Sequence, residues 1–223
     1  MRKFVCDTET ASDKDGCGVC DIAFIEIDED LSYITHFDSR IDPEEEICPS
    51  ASGVHNITNC EVEFEPTLQE YFDMLNILEM GVAAHNARFD VDKIQKVVKV
   101  PLSIDTLRLA QRFIPGSPNY KLGTLTYFCK LPRPKGSTHG ALVDTWMCYN
   151  LLLYIAEVSG MKTFTELATE SNTPKLLTKF PPFGKHKDED FDKVPNNYLS
   201  WCLSNFTNMD MDLEYTIKRR LGR

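Results

Sequence analysis

No run of apolar residues in this 223-residue chain approaches the roughly 20 that span a bilayer, so neither a transmembrane helix nor a membrane partner is expected. The opening segment Met1-Arg2-Lys3-Phe4-Val5-Cys6-Asp7 meets an acid before any long apolar stretch. A signal peptide is therefore not expected, and a cytoplasmic location follows by default. Paired cysteine motifs are missing too. Of eight cysteines only Cys17-Gly18-Val19-Cys20 has metal or redox spacing, without the second pair or nearby histidines of a zinc site. A thioredoxin-like pair would open a helix, whereas Cys20 runs on into a strand-like apolar segment, so incidental thiols are the reading adopted. Internal repeats and low-complexity tracts are absent. Positive charge is in short supply: 24 Lys+Arg stand against 34 Asp+Glu, a formal net charge of −10. Nucleic-acid-binding proteins usually carry a basic footprint, and that average argues against such a partner.

The average conceals a gradient. Residues 1–70 hold 18 Asp+Glu and 4 Lys+Arg, residues 71–145 hold 6 and 10, and residues 146–223 hold 10 of each. All the surplus acid lies in the first third, and the middle third is mildly basic. Hydrophobic residues make up 42% and charged residues 26%, an ordinary globular balance that excludes a disordered chain. The length suits one core domain with a small appendage.

Lys3 to Cys6 reads as a first strand, Val19 to Ile27 as a second and Leu31 to Phe37 as a third. The tight acidic turn Asp28-Glu29-Asp30 makes the last two antiparallel. Residues 41–49 form an acidic loop. After Pro66, Leu68, Tyr71, Phe72, Leu75 and Leu78 recur at helical spacing. A short buried strand, Val82 to Ala84, precedes a helix from about Arg88 to Val98. Asp105 caps a helix through Phe113, which Pro115-Gly116-Ser117-Pro118 ends. Lys121 to Cys129 is another short helix. Ser137 or Thr138 caps a long one that closes at Gly160. The pattern predicts an α/β sheet with an antiparallel edge.

Three short motifs carry chemistry. Asp7 and Glu9, one residue apart at a strand end, point to one side and repel each other. Mg²⁺ or Mn²⁺ relieves that repulsion, because hard cations take carboxylate oxygens. His85-Asn86-Ala87-Arg88-Phe89-Asp90 follows a buried strand and puts Asp90 in the first turn of a helix. His139 precedes Asp144 by five residues, about 140° apart on a regular helix, so they converge only if His139 sits before the helix body. Asp144 lies on a helix apolar on most faces, where a buried carboxylate needs a cation. Each motif alone has a bland reading: a solvated loop, a helix-start acid, a surface histidine. Together, four carboxylates can hold two divalent ions about 3.5–4 Å apart for phosphoryl displacement, and a histidine can take a proton from the attacking water.

Asp7-Thr8-Glu9-Thr10, the 85–90 segment and His139 with Asp144 resemble the three exonuclease motifs of the DEDDh family. Asp21-Ile22-Ala23, the segment Gly53 to Thr58, Asp105 to Ala110 and Asn119 to Leu122 support the resemblance, which runs in order from residue 1 to about 158. It implies a ribonuclease-H-like exonuclease fold, a mixed central sheet flanked by helices, and 3′→5′ hydrolysis to nucleoside 5′-monophosphates with two Mg²⁺ or Mn²⁺ ions. The segment from Phe183 to Lys187 and Tyr198 to Trp201 resembles the small C-terminal module of the exodeoxyribonuclease X branch, of bacterial or phage type. The implied layout is an exonuclease domain over 1–160, a linker with a short helix over 161–182 and the module over 183–223. Two departures stand out: Ala11-Ser12-Asp13 replaces the usual Gly-Leu after the first motif, and Asp21 stands where Glu is usual.

The implied roles follow residue by residue. Asp7, Glu9 and Asp144 hold one ion, Asp7 chiefly the other, Asp90 orients a metal-bound water, and His139 is the general base. Thr8, Thr10, His85, Asn86 and Phe89 are candidates for the terminal nucleotides, with Phe89 as a stacking ring or a core residue. Lys121, Lys130, Arg133 and Lys135 are candidates for the phosphate backbone. Lys185 and Lys187 are further candidates, although Asp188-Glu189-Asp190 follows at once. Single-stranded DNA or DNA 3′ ends are the expected partners. An RNA exonuclease and a silent nucleic-acid-binding or polymerase-docking domain are the alternatives.

Overall fold

Strand β1 (Arg2–Thr10) buries both faces, Phe4 and Cys6 on one side and Val5 on the other, as a central strand must. It pairs antiparallel with β2 (Val19–Ile27) and parallel with β4 (Glu79–Ala84). The edge strands β3 (Tyr33–Arg40) and β5 (Lys99–Asp105) complete a five-stranded mixed sheet in the order β3-β2-β1-β4-β5. The computed structural model describes residues 1–14, 16–134, 140–181, 183–207 and 209–223. The expected site residues Lys135 and His139, and the expected caps Ser137 and Thr138, lie outside these.

Helices cover both faces, so the α/β fold expected from the sequence is the one found. On one face α6 (Ala141–Ser159) lays Leu151, Leu152 and Ile155 against Val5, Ile25 and Ala83. Flanking it are α4 (Thr106–Phe113), α5 (Leu122–Phe128) and α7 (Phe164–Asn172), which add Leu109, Leu125 and Phe164. Burial between sheet and helices explains why α6 is apolar nearly all round. On the other face α2 (Leu68–Leu75) and α3 (Arg88–Ile94) bring Phe72 and Ile94 to Phe4, Phe24 and Val82. A further short helix, α1 (Pro49–His55), follows the acidic loop.

The structure corrects several boundaries. Strand β1 runs on to Thr10, so Asp7 and Glu9 lie within it rather than after it. Strand β5 contains Pro101, a residue that argues against a strand. It is tolerated because β5 is an edge, and the register shift between Glu79 and Gly81 falls opposite it. Helix α2 stops at Leu75, where Asn76 takes a left-handed conformation, and Leu78 stays outside it and exposed. Its start obeys the capping-box rule: Thr67 accepts from the Glu70 N–H, and Glu70 accepts from the Thr67 N–H. Helix α6 begins at Ala141 on an N-cap of Gly140 and ends at a left-handed Gly160.

One glycine is fixed by close approach. A Cβ on Gly18 would fall 2.1 Å from the backbone oxygen of Pro43, where the β1–β2 loop meets the acidic loop. Gly18 there also donates its N–H to Glu45 and accepts from the Ala11 N–H. Gly18→Ala is therefore expected to cost about 1–3 kcal/mol or more, read as a lower urea midpoint at unchanged slope.

The described residues form two compact units, Met1–Asn172 and Thr173–Arg223. The second contains α8 (Asn196–Asn205) and α9 (Met211–Arg220) around its own core of Phe180, Phe191, Leu199, Cys202, Leu213 and Ile217. Among the described residues no helix is long and apolar enough to cross a membrane.

Candidate active site

The site forms where β1 outruns its neighbour. Pairing of β1 with β4 ends at Val5 opposite Ala83, and beyond it β1 continues for five residues, beside β2 alone. Strand alternation turns Asp7 and Glu9 toward the face covered by α6, and Asp144 projects from the first turns of that helix. One oxygen each from Asp7, Glu9 and Asp144 lie within 4.8 Å of one another. All three residues are half-buried, Asp144 included, which the sequence places deeper.

Asp90 comes from the opposite face. It is buried in the first turn of α3, and the Thr8 hydroxyl, on the even side of β1, donates to its Oδ1 at 2.7 Å. Asp90 stands outside the three-carboxylate cluster, yet among the neighbouring charges it bears most on Asp7.

Crowding without a cation shows in the acidities. Burial, followed by repulsion from Asp90, Asp144, Glu9 and Asp21, drives Asp7 well above the usual carboxylate range. Burial, followed by repulsion from Asp144, Asp21 and Asp90, pushes Glu9 up to about 7. Burial pushes Asp90 to about 7 against the pull of its Thr8 hydrogen bond. An all-oxygen donor set that holds protons in place of a cation fits a hard divalent ion, with Asp7, Glu9 and Asp144 as the holders.

Behind the cluster runs a row that the sequence reading passed over. Glu9 faces Asp21 on β2, and Asp21 faces Arg40 on β3. Arg40 Nη1 lies 2.7 Å from Asp21 Oδ2, and the same oxygen accepts from the Ala141 N–H at 3.3 Å. Asp21 thus anchors the N-terminus of α6, the helix that carries Asp144. The available signal was an acid inside the otherwise apolar stretch Val19 to Ile25, since a buried carboxylate requires partners. His55 is a second brace: one ring nitrogen accepts from the Ile57 N–H and the other faces the Thr10 carbonyl.

Several expected nucleotide contacts change role. His85 has no ring nitrogen left for a ligand: Nε2 faces the Tyr120 carbonyl at 2.8 Å, and Nδ1 lies 2.9 Å from the Thr106 hydroxyl. The carbonyl requires the proton on Nε2, and burial favours the neutral ring, which leaves Nδ1 as an acceptor facing the Thr106 hydroxyl, itself 3.2 Å from the Ala84 carbonyl. His85 therefore braces β4 against α4. Thr8 and Thr10 are buried, and their hydroxyls donate to Asp90 and to the Ser12 carbonyl. Asn86 is exposed in a left-handed turn, its N–H held by Asp105. Phe89 is 42% exposed, which excludes the core role. The Lys93 ammonium lies 5.4 Å from the Phe89 ring centroid and donates to Cys17 Sγ at 3.3 Å. Lys121, Lys130 and Arg133 are exposed, and Arg133 donates to the Tyr127 hydroxyl at 2.9 Å.

A mixed sheet with carboxylates gathered along its first strand is an arrangement able to hold a divalent cation. Residues 4–152 match the exonuclease (RNase_T) family model, and the chain belongs to that family. Exodeoxyribonuclease 10 of Escherichia coli (strain K12) is 29% identical over 224 residues, covering 97% of each chain. The DNA polymerase III subunit epsilon of Rickettsia typhi is 25% identical over 193 residues, covering 80% of this chain and 83% of the relative. Among solved structures, Exonuclease X in complex with 5′-overhanging duplex DNA superimposes with a TM-score of 0.65 and 28% identity, over 76% of this chain and 99% of that one.

Proposed function

We propose that this protein is a divalent-metal-dependent 3′→5′ DNA exonuclease that releases nucleoside 5′-monophosphates. The observation that carries the reading is the clustering of Asp7, Glu9 and Asp144 oxygens within 4.8 Å at the end of β1, in a member of the exonuclease family. DNA is favoured over RNA because the relative matched along 97% of the chain is an exodeoxyribonuclease. The exonuclease domain is the N-terminal unit on this reading, and the C-terminal unit is an appended module.

Two bound Mg²⁺ or Mn²⁺ ions supply Lewis-acid stabilisation of phosphoryl charge and ease deprotonation of water at neutral pH. Asp7, Glu9 and Asp144 hold them. Asp90, kept in one orientation by Thr8, accepts a hydrogen bond from water in the site. His139, outside the described residues, takes the proton of the attacking water. Asn86 and Phe89, both exposed beside Asp90, hold and stack the terminal nucleotide. Exposed Lys121 and Arg133, with Lys135, engage phosphates farther along the strand.

The test uses 5′-labelled single-stranded DNA, duplex DNA and RNA with Mg²⁺ or Mn²⁺. A ladder that shortens from the 3′ end of DNA and disappears with EDTA is expected. Cleavage that survives EDTA, or that starts from the 5′ end, overturns the proposal. Undiminished activity of His139→Ala removes the histidine's role alone.

A further inference from the structure

We propose that the C-terminal unit grips single-stranded DNA, through an open aromatic surface of Phe183, Tyr198, Trp201 and Phe206 flanked by Lys185 and Lys187. The proposal rests on the DNA exonuclease reading and gives the appended unit a task within it.

The unit's buried core is Phe180, Phe191, Leu199, Cys202, Leu213 and Ile217, with Tyr198 and Phe206 half-buried against it. Trp201 and Phe183 lie outside that core. Phe183 contacts Phe206 at 5.8 Å between centroids, Phe206 contacts Trp201 at 5.6 Å, and Trp201 stacks on Tyr198 at 5.7 Å with 25° between planes. Trp201 remains 50% exposed and Phe183 44%. Exposed rings such as Trp201 and Phe183 accept a nucleobase without regard to its identity, because every base has a π-face.

The adjoining turn is pressed onto the same surface. Gly184 has φ +71°, and a Cβ there would fall 2.8 Å from the Tyr198 hydroxyl. His186 meets the Tyr198 ring edge-on at 4.6 Å. The turn therefore holds Lys185 and Lys187 beside the rings. Two of the three acids that follow in sequence, which weakened any basic reading of this segment, are engaged with partners, and the third, Asp188, is exposed. Glu189 faces His186 at 2.9 Å and Asp190 pairs with Lys193 at 2.6 Å. Lys185 and Lys187 are exposed and make no ion pair among the described residues. Lysines are depleted at the centres of protein–protein contacts, whereas lysines beside open rings match a strand that presents phosphates on one side and bases on the other.

The full chain is tested in EDTA, which stops hydrolysis, by fluorescence anisotropy with a labelled 20-nucleotide single strand. Trp201→Ala is expected to weaken binding roughly tenfold, and Trp201→Phe, which keeps a ring, to restore most of it. Lys185→Ala with Lys187→Ala should lower the slope of log affinity against log salt by about 1.4, two phosphate contacts' worth. With Mg²⁺, these variants should release a long strand after fewer nucleotides while cleaving a trinucleotide at the unaltered rate. Affinity and salt slope unchanged in all the variants overturn the proposal and leave the surface to a protein partner, as does a wild type that binds no strand in EDTA. A wild-type protein that fails on the trinucleotide refutes the exonuclease reading instead, by a different measurement.

Discussion

Replacing Asp144 with asparagine is expected to cut Mg²⁺-supported hydrolysis about a thousandfold or more, with the fold intact. The side chain is half-buried on the first turns of a helix whose packing is carried by Leu151, Leu152 and Ile155 farther along. Asparagine keeps the shape and one oxygen acceptor but loses the charge that a divalent ion requires. Electrostatic stabilisation of phosphoryl charge by bound metal contributes several kcal/mol, and about 4 kcal/mol corresponds to that thousandfold. Single-turnover rates at saturating Mg²⁺, beside circular dichroism and melting curves, measure both halves. A variant that retains a tenth of the wild-type rate would remove Asp144 from the machinery.

The second large effect appears when the metal is removed. Glu9, ordinarily near 4.5, and Asp90, ordinarily near 3.8, both sit at about 7 in the fold, and Asp7 is raised as well. A carboxyl group with a raised folded pKa adds stability in acid, and that contribution is lost as pH climbs through its folded value. The chelated protein should therefore lose stability from about pH 4 to pH 7 and melt lower at pH 8 than at pH 5.5. Glu29 and Glu61, which hydrogen bonds hold below the usual range, contribute with the opposite sign.

Asp7→Asn removes the most crowded charge. It should raise the melting temperature of the chelated protein at pH 8, about 2–4 °C for each kcal/mol relieved, while destroying activity. Mg²⁺ at a hundred times its dissociation constant should stabilise the wild type by about 2.7 kcal/mol and the variant far less. Calorimetry in EDTA and in Mg²⁺ at the two pH values checks all of this. A chelated protein that melts higher at pH 8 than at pH 5.5 would contradict the crowding.

The three motifs were legible because each is local in sequence and sits at the end or start of an element. Asp7 and Glu9 share one side of a strand, Asp90 opens α3, and Asp144 opens α6. Strand β2 was legible to the residue because its β-branched run lies inside the sheet. Features that depend on distant partners were not. Strand β5 is betrayed by Pro101, which only its edge position tolerates. The roles of His85 and Thr8 emerge only when Tyr120, Thr106 and Asp90 arrive from elsewhere in the chain. Asp21 was visible as an unusual acid, but its partners Arg40 and Ala141 lie on two other elements.

That row from Glu9 through Asp21 to Arg40 sets an order on how the chain can drift over generations. Arg40 is 38% exposed along its side chain, Asp21 only 8%. Losing Arg40 first would leave the buried Asp21 carboxylate beside Glu9 with only the Ala141 N–H, a destabilising step. Losing Asp21 first lets the guanidinium turn to water and leaves a helix start to be capped anew. The arginine on an edge strand is therefore the costlier of the two to lose first, although it stands behind the carboxylate cluster rather than in it.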